Sequence, residues 1–250
     1  MYYNNYGGIG NDNNKPSEYI GGDIEYGVDK ISIEGKLRLG FIRKVYGILS
    51  IQLLITTFFC IISMSSPTFS KFQVKNSWLS IVCALASIAI MFVICCFREV
   101  GRKVPTNYIL LFVFTGCEAY VVSYLCGVTN PRLVIMAAAM TCGITIALTL
   151  YACTTKSDFT IYGSLLFVLG CILLLFSIFA LFTHNKIFHI ILSCIGVLLF
   201  SFYLIYDTQL LLGSKENSLE MDEYIFAAIM LYLDIINLFI YILKILKATE

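Results

Sequence analysis

The chain opens on a polar stretch and then alternates, to its end, between long apolar runs and short polar breaks. Residues 1–35 are rich in Asn, Gly and Tyr. They offer too little apolar surface to fold alone, which predicts a disordered tail. No apolar signal-peptide core interrupts this stretch, so the first apolar run is expected to act as its own insertion signal. From residue 36 onward, apolar runs recur at about 45–65, 77–97, 106–126, 132–152, 159–182, 187–212 and 223–246. Each approaches the roughly 20 residues a helix needs to cross a bilayer. They predict an all-α membrane protein, with residues 36–250 forming a bundle of seven transmembrane helices. The breaks are short, so consecutive helices should be antiparallel neighbours. One run could instead be re-entrant, leaving six crossings. Pro105 and Pro131 each stand just before a run, where proline suits the first helical turn.

Basic residues orient such a bundle, because Lys and Arg are retained on the cytosolic side. With the tail inside, the inner breaks hold Lys36, Arg38, Arg43, Lys44, Arg98, Arg102, Lys103, Lys156 and Lys215. The outer ones hold Lys71, Lys75, Arg132, Lys186, Lys244 and Lys247. The larger first set predicts a cytosolic N-terminus, although Lys244 and Lys247 argue for an inner C-terminus.

Composition narrows the class. Hydrophobic residues make up 59% of the chain and charged ones 13%, where soluble domains carry roughly 25% charge. The lipid bilayer is therefore the first partner. A net charge of +1 gives no field for nucleic acid. Most of the ten cysteines lie inside apolar runs, where they read as small packing residues. His184 and His189, five residues apart, read as interfacial. No Gly-x-Ser-x-Gly elbow, His-Glu-x-x-His or Walker loop occurs, so neither enzymatic activity nor a cofactor is expected. No pair of glycines at four-residue spacing marks a helix-dimer face within a run.

Three acids stand inside apolar runs: Glu118, Asp207 and Asp234. A carboxylate at the centre of a spanning helix costs about 2.5–3.5 kcal/mol on insertion scales, so such acids default to function. Helical rise places Asp207 roughly 7–8 Å and Asp234 roughly 16 Å from the same membrane face. Tilt or a later helix start must close part of that offset before the two meet. If they meet, both cannot be ionised cheaply, and the pair should share one proton. The shared proton would make a closed latch. Its loss would leave two anions that repel, or that together bind a hard cation such as calcium, which prefers oxygen ligands. Thr208, Gln209, Tyr232 and Asn237 bring further polar groups nearby in sequence, and Asn237 lies on nearly the same helix face as Asp234. Glu118 sits among small residues with no obvious partner. Arg98 and Arg102 read as loop charges before they read as counter-ions. The structural alternative is that each acid makes a buried hydrogen bond that fixes helix packing.

Three stretches resemble the Bax inhibitor-1 (transmembrane Bax inhibitor motif) family, nearest its Lifeguard and Golgi anti-apoptotic branches. They are Phe41-Ile42-Arg43-Lys44-Val45-Tyr46-Gly47-Ile48-Leu49-Ser50-Ile51-Gln52-Leu53, then Ile205-Tyr206-Asp207-Thr208-Gln209, then Leu231-Tyr232-Leu233-Asp234-Ile235-Ile236-Asn237-Leu238-Phe239. Phe114-Thr115-Gly116-Cys117-Glu118-Ala119 is a looser match, and the resemblance spans roughly residues 36–247. It implies a protein of the endoplasmic-reticulum or Golgi membrane that suppresses cell death and lowers stored calcium through a pH-sensitive leak. It also implies that Asp207 and Asp234 form a proton-sensitive latch. The tail departs from the Pro/Gly-rich tails of the Lifeguard branch. The combined expectation is a calcium or general cation leak gated by Asp207 and Asp234. Its rival is a non-conducting scaffold that binds cell-death regulatory proteins.

Overall fold

The computed structural model describes residues 18–183, 185–213 and 218–250. The elements are α1 (Glu18–Ser65), α2 (Pro67–Lys75), α3 (Ser77–Cys96), α4 (Arg98–Arg102), α5 (Thr106–Gly127), α6 (Pro131–Thr154), α7 (Gly163–Ala180), α8 (Lys186–Leu212) and α9 (Tyr224–Thr249), with a 3₁₀ turn at Thr160–Tyr162 before α7. Seven helices are long and apolar enough to cross a membrane: α1 from Ile33, α3, α5, α6, α7 with its 3₁₀ turn, α8 and α9. None is halved into a re-entrant pair. Helix α1 begins at Glu18 and so runs into the segment read as a tail; residues 1–17, His184 and Lys215 lie outside the described residues.

Local chemistry sets the helix ends. Asn130 Oδ1 accepts from Arg132 N (3.1 Å) with Pro131 in the first turn of α6. Asn185 Oδ1 accepts from Ile187 N (3.0 Å) and Phe188 N (3.3 Å) at the start of α8. Both satisfy amides that no helical carbonyl can reach. Helix α8 stops at Gly213, whose φ of +66° favours a residue without a Cβ.

Chain ends and connections sort to opposite ends of the bundle. At one end Arg38 donates to Leu210 O (2.6 Å) in the last turn of α8 and to Leu219 O (2.7 Å) in the connection that follows it. There Arg102 also meets Glu220 (2.6 Å), Asp222 (3.2 Å) and Glu223 (3.0 Å). The bond to Glu223, with Asp222 and Glu220 alongside, holds the Arg102 guanidinium above its ordinary value. Arg102 is thus a permanently charged tie between connections, and not a counter-ion to the membrane acids. At the other end α2 packs beside α1, and Glu250 accepts from Asn130 Nδ2 (3.0 Å).

Helix α9 is central. Of its most apolar stretch, 61% is buried, against 17% for α3, α6 and α7, which present bulky apolar side chains outward as lipid-facing helices do. Close approach relies on single glycines facing tyrosines. A Cβ on Gly163 would fall 2.5 Å from Tyr206 Oη, and one on Gly170 2.6 Å from Tyr203 Oη. One on Gly196 would fall 2.7 Å from the Tyr241 ring. Glycines at paired four-residue spacing are not needed, because each glycine meets a ring and not another backbone.

Candidate functional site: a carboxyl pair between α8 and α9

Helices α8 and α9 form the most extensive helix pair of the bundle. Both acids lie in its interface, each 4% exposed. The carboxyls of Asp207 and Asp234 stand within hydrogen-bonding reach of each other, so packing of the two helices closes the axial offset that helical rise predicts. Asp207 Oδ1 and Asp234 Oδ2 are buried and receive no hydrogen bond from another residue. A proton held between the carboxyls is what can satisfy them, since a carboxylate only accepts. Two adjacent charges in a medium of low dielectric would repel strongly. One proton shared across the pair would relieve that repulsion.

The polar residues near the acids in sequence are engaged elsewhere. Gln209 is buried and fastens the α6–α7 connection: its Oε1 accepts from Phe159 N (2.8 Å) and its Nε2 donates to Ser157 O (3.0 Å). Thr208 donates to Leu204 O (2.6 Å) and faces Tyr46 of α1. Asn237 Nδ2 donates to Leu233 O (2.8 Å) within its own helix. Tyr232 Oη pairs with Thr56 Oγ1 (2.8 Å) on α1. Glu118 lies apart from the pair, with Ser87 of α3 as hydrogen-bond partner. Among the described residues, Asp207 is the side chain placed in hydrogen-bonding reach of Asp234.

Tyr203 was absent from the sequence reading, yet it lies in electrostatic reach of both acids. Its hydroxyl donates to Leu166 O (2.7 Å) on α7, over Gly170. The spacing of Tyr203 and Tyr206 against Gly170 and Gly163 was a usable signal, since a step of seven residues returns the second glycine to the same helix face. His189 closes the far end of α8, Nε2 to Thr183 O (2.7 Å).

The Gln209 clamp carries a direct prediction. Gln209→Leu leaves Phe159 N–H and Ser157 C=O without their partner, which costs about 1–3 kcal/mol where water cannot replace it. Amide hydrogen exchange at Phe159 should accelerate while exchange in the middle of α9 stays slow. Unchanged exchange at Phe159 would show that the connection is held by other contacts.

The family profile described as inhibitor of apoptosis-promoting Bax1 matches residues 38–250. Protein lifeguard 4 of Mus musculus is 36% identical over 235 residues, covering 94% of this chain and 96% of the mouse protein. Protein LIFEGUARD 2 of Arabidopsis thaliana is 36% identical over 219 residues, 86% of this chain and 90% of its own length. The Golgi anti-apoptotic protein of Vaccinia virus (strain Lister) is 33% identical over 228 residues, 91% of this chain and 93% of the viral protein.

Proposed function

Because this chain belongs to the family of inhibitors of apoptosis-promoting Bax1, we propose that it is an anti-apoptotic membrane protein that leaks calcium, or cations generally, under control of the Asp207–Asp234 pair. It is a multi-pass membrane protein and not an enzyme. The name of the viral relative supports a Golgi membrane, with the N-terminus in the cytosol by the distribution of basic residues. The observation that carries the reading is the meeting of two buried carboxyls on successive spans, each with an oxygen that no other residue satisfies. Helix packing alone does not require this, since apolar pairs of similar volume commonly do as well or better.

With a proton shared, the carboxyls hold α8 against α9. With the proton lost, two anions push the helices apart or admit a cation between them. Both outcomes loosen the interface on the central helix, which α1, α5, α6 and α8 all touch. The test is calcium flux into liposomes containing the purified protein, scanned from acid to neutral pH beside Asp234→Asn. Folded protein with no flux at any pH that still protects cells would replace the leak with a scaffold binding cell-death regulators.

A further inference from the structure

Helix α9 carries a second polar surface, on the face away from Asp234. Tyr232 precedes Asp234 by two residues, so the two side chains project about 200° apart around the helix. Tyr232 turns toward α1 and α5 and is fully buried there, edge-on to Phe114. It meets a stripe of α1 made of Gln52, Thr56, Cys60 and Ser63, all buried. The spacing of four, four and three returns each to one face. Nearer the N-terminus the same face of α1 is apolar: Phe41, Val45 and Leu49.

Hydrogen bonds tie the stripe across the seam. Gln52 Nε2 donates to Thr115 Oγ1 (3.1 Å) on α5, and Thr56 Oγ1 donates to Gln52 O (2.9 Å) while pairing with Tyr232. Toward the α2 end, Ser63 donates to Gln73 Oε1 (2.6 Å), and Gln73 Nε2 donates to Ser123 Oγ (2.9 Å). Toward the Arg102 end, Asn107 Nδ2 donates to Tyr224 Oη (3.1 Å), and the Lys44 ammonium lies 3.2 Å from the Tyr224 ring centroid. Polar groups thus line the α2 half of the α1–α5–α9 seam and return at its Arg102 end, with Val45, Leu49 and Leu111 buried between them. A cavity of about 450 Å³ adjoins its α2 half, against Thr56, Cys60, Ile236 and Phe239.

One atom in this seam has no partner. Gln52 is 1% exposed, and its Oε1 receives no hydrogen bond. Gln52 Nε2 faces Thr115 Oγ1, which accepts from it and donates its own proton to Leu111 O (2.7 Å), so Oε1 points away from Thr115. The carbonyl oxygen is therefore an orphan acceptor near mid-membrane, a state that costs about 1–3 kcal/mol if nothing fills it. Glu118, one helical turn from Thr115 and close enough to Tyr232 to act on it electrostatically, places a further carboxyl at the edge of the seam.

We propose that the α1–α5–α9 seam is a cation route with Gln52 Oε1 as its mid-membrane ligand, and that the carboxyl pair across α9 gates this route from outside it. The division of labour rests on the leak reading; the cation site itself does not. A hard divalent cation is the ligand class, because amide, hydroxyl and carboxylate oxygens are its preferred donors.

Calcium-45 binding and liposome flux, measured on the full chain, separate the two ideas. In an Asp207→Asn/Asp234→Asn background, calcium binding should persist, and adding Gln52→Met should weaken it at least tenfold. In the otherwise native chain, Gln52→Met should lower flux at least tenfold at every pH while leaving the midpoint of the pH profile in place. Gln52→Met keeps the side-chain volume and leaves Thr115 bonded to Leu111, and Thr115→Val supplies an independent second lesion. Loss of all calcium binding in the double-Asn background overturns the proposal, as does wild-type binding and flux in Gln52→Met. Gln52-dependent binding without any flux in the native chain would retain the site and remove the leak.

Discussion

Calcium flux through Asp234→Asn should be nearly flat from pH 5 to 8, where the native chain responds steeply. The expectation follows from the buried pair. In the proposed latch one proton bridges two carboxyls, each with an oxygen that no other residue satisfies. A gate held by one proton opens with the fraction deprotonated, which changes about tenfold per pH unit below its midpoint. Flux should therefore rise with pH, because deprotonation creates the second anion. Asn at 234 supplies N–H donors that satisfy Asp207 at every pH, and it cannot form the second anion. Asp207→Asn removes the other half and should behave alike. Because neither variant can place a second anion between α8 and α9, both should hold the low flux of the protonated native chain across the whole range. Steep pH dependence that survives in both would remove the pair from gating and leave it a packing element.

Gly196→Ala should be the most damaging of the small substitutions. Its added Cβ would lie 2.7 Å from three atoms of the Tyr241 ring. That ring has little freedom to yield. It stacks on Phe200 with centroids 5.8 Å apart, and its hydroxyl meets Ser177 at 3.2 Å. Overpacking of this kind typically costs about 1–3 kcal/mol, and the shift needed here is borne by the α8–α9 interface that holds the acids. The melting temperature in detergent should fall, and Tyr241→Leu in the same chain should restore much of it by vacating the space. A Gly196→Ala protein that melts like the native one would mean the helices part without cost.

The acids and the glycines show why sequence and structure divide as they do. Seven spanning helices, the polar start and the unusual placement of Asp207 and Asp234 were legible in the chain, because a charge in an apolar run stands out without any knowledge of neighbours. The offset computed from helical rise was larger than the real one, since rise along one axis says nothing of how two helices cross. Thr208, Gln209, Tyr232 and Asn237 are close to the acids in sequence. A helix nevertheless turns 100° per residue, and each found a partner on another face: Tyr46, the α6–α7 connection, Thr56 and its own backbone.

The amino-acid order by itself determined what depends on transfer from water to hydrocarbon: which stretches span, where helices begin, and which charges are out of place. Only the tertiary structure decided which faces meet. It set the acids against each other across α8 and α9 and placed Tyr203 over Gly170 beside them. On the far side of α9 it gathered Gln52, Thr56, Thr115 and Tyr232. The reason is physical: burial in lipid is a property of one residue and its depth, whereas a hydrogen bond or a shared proton is a property of two residues whose helices must first be packed.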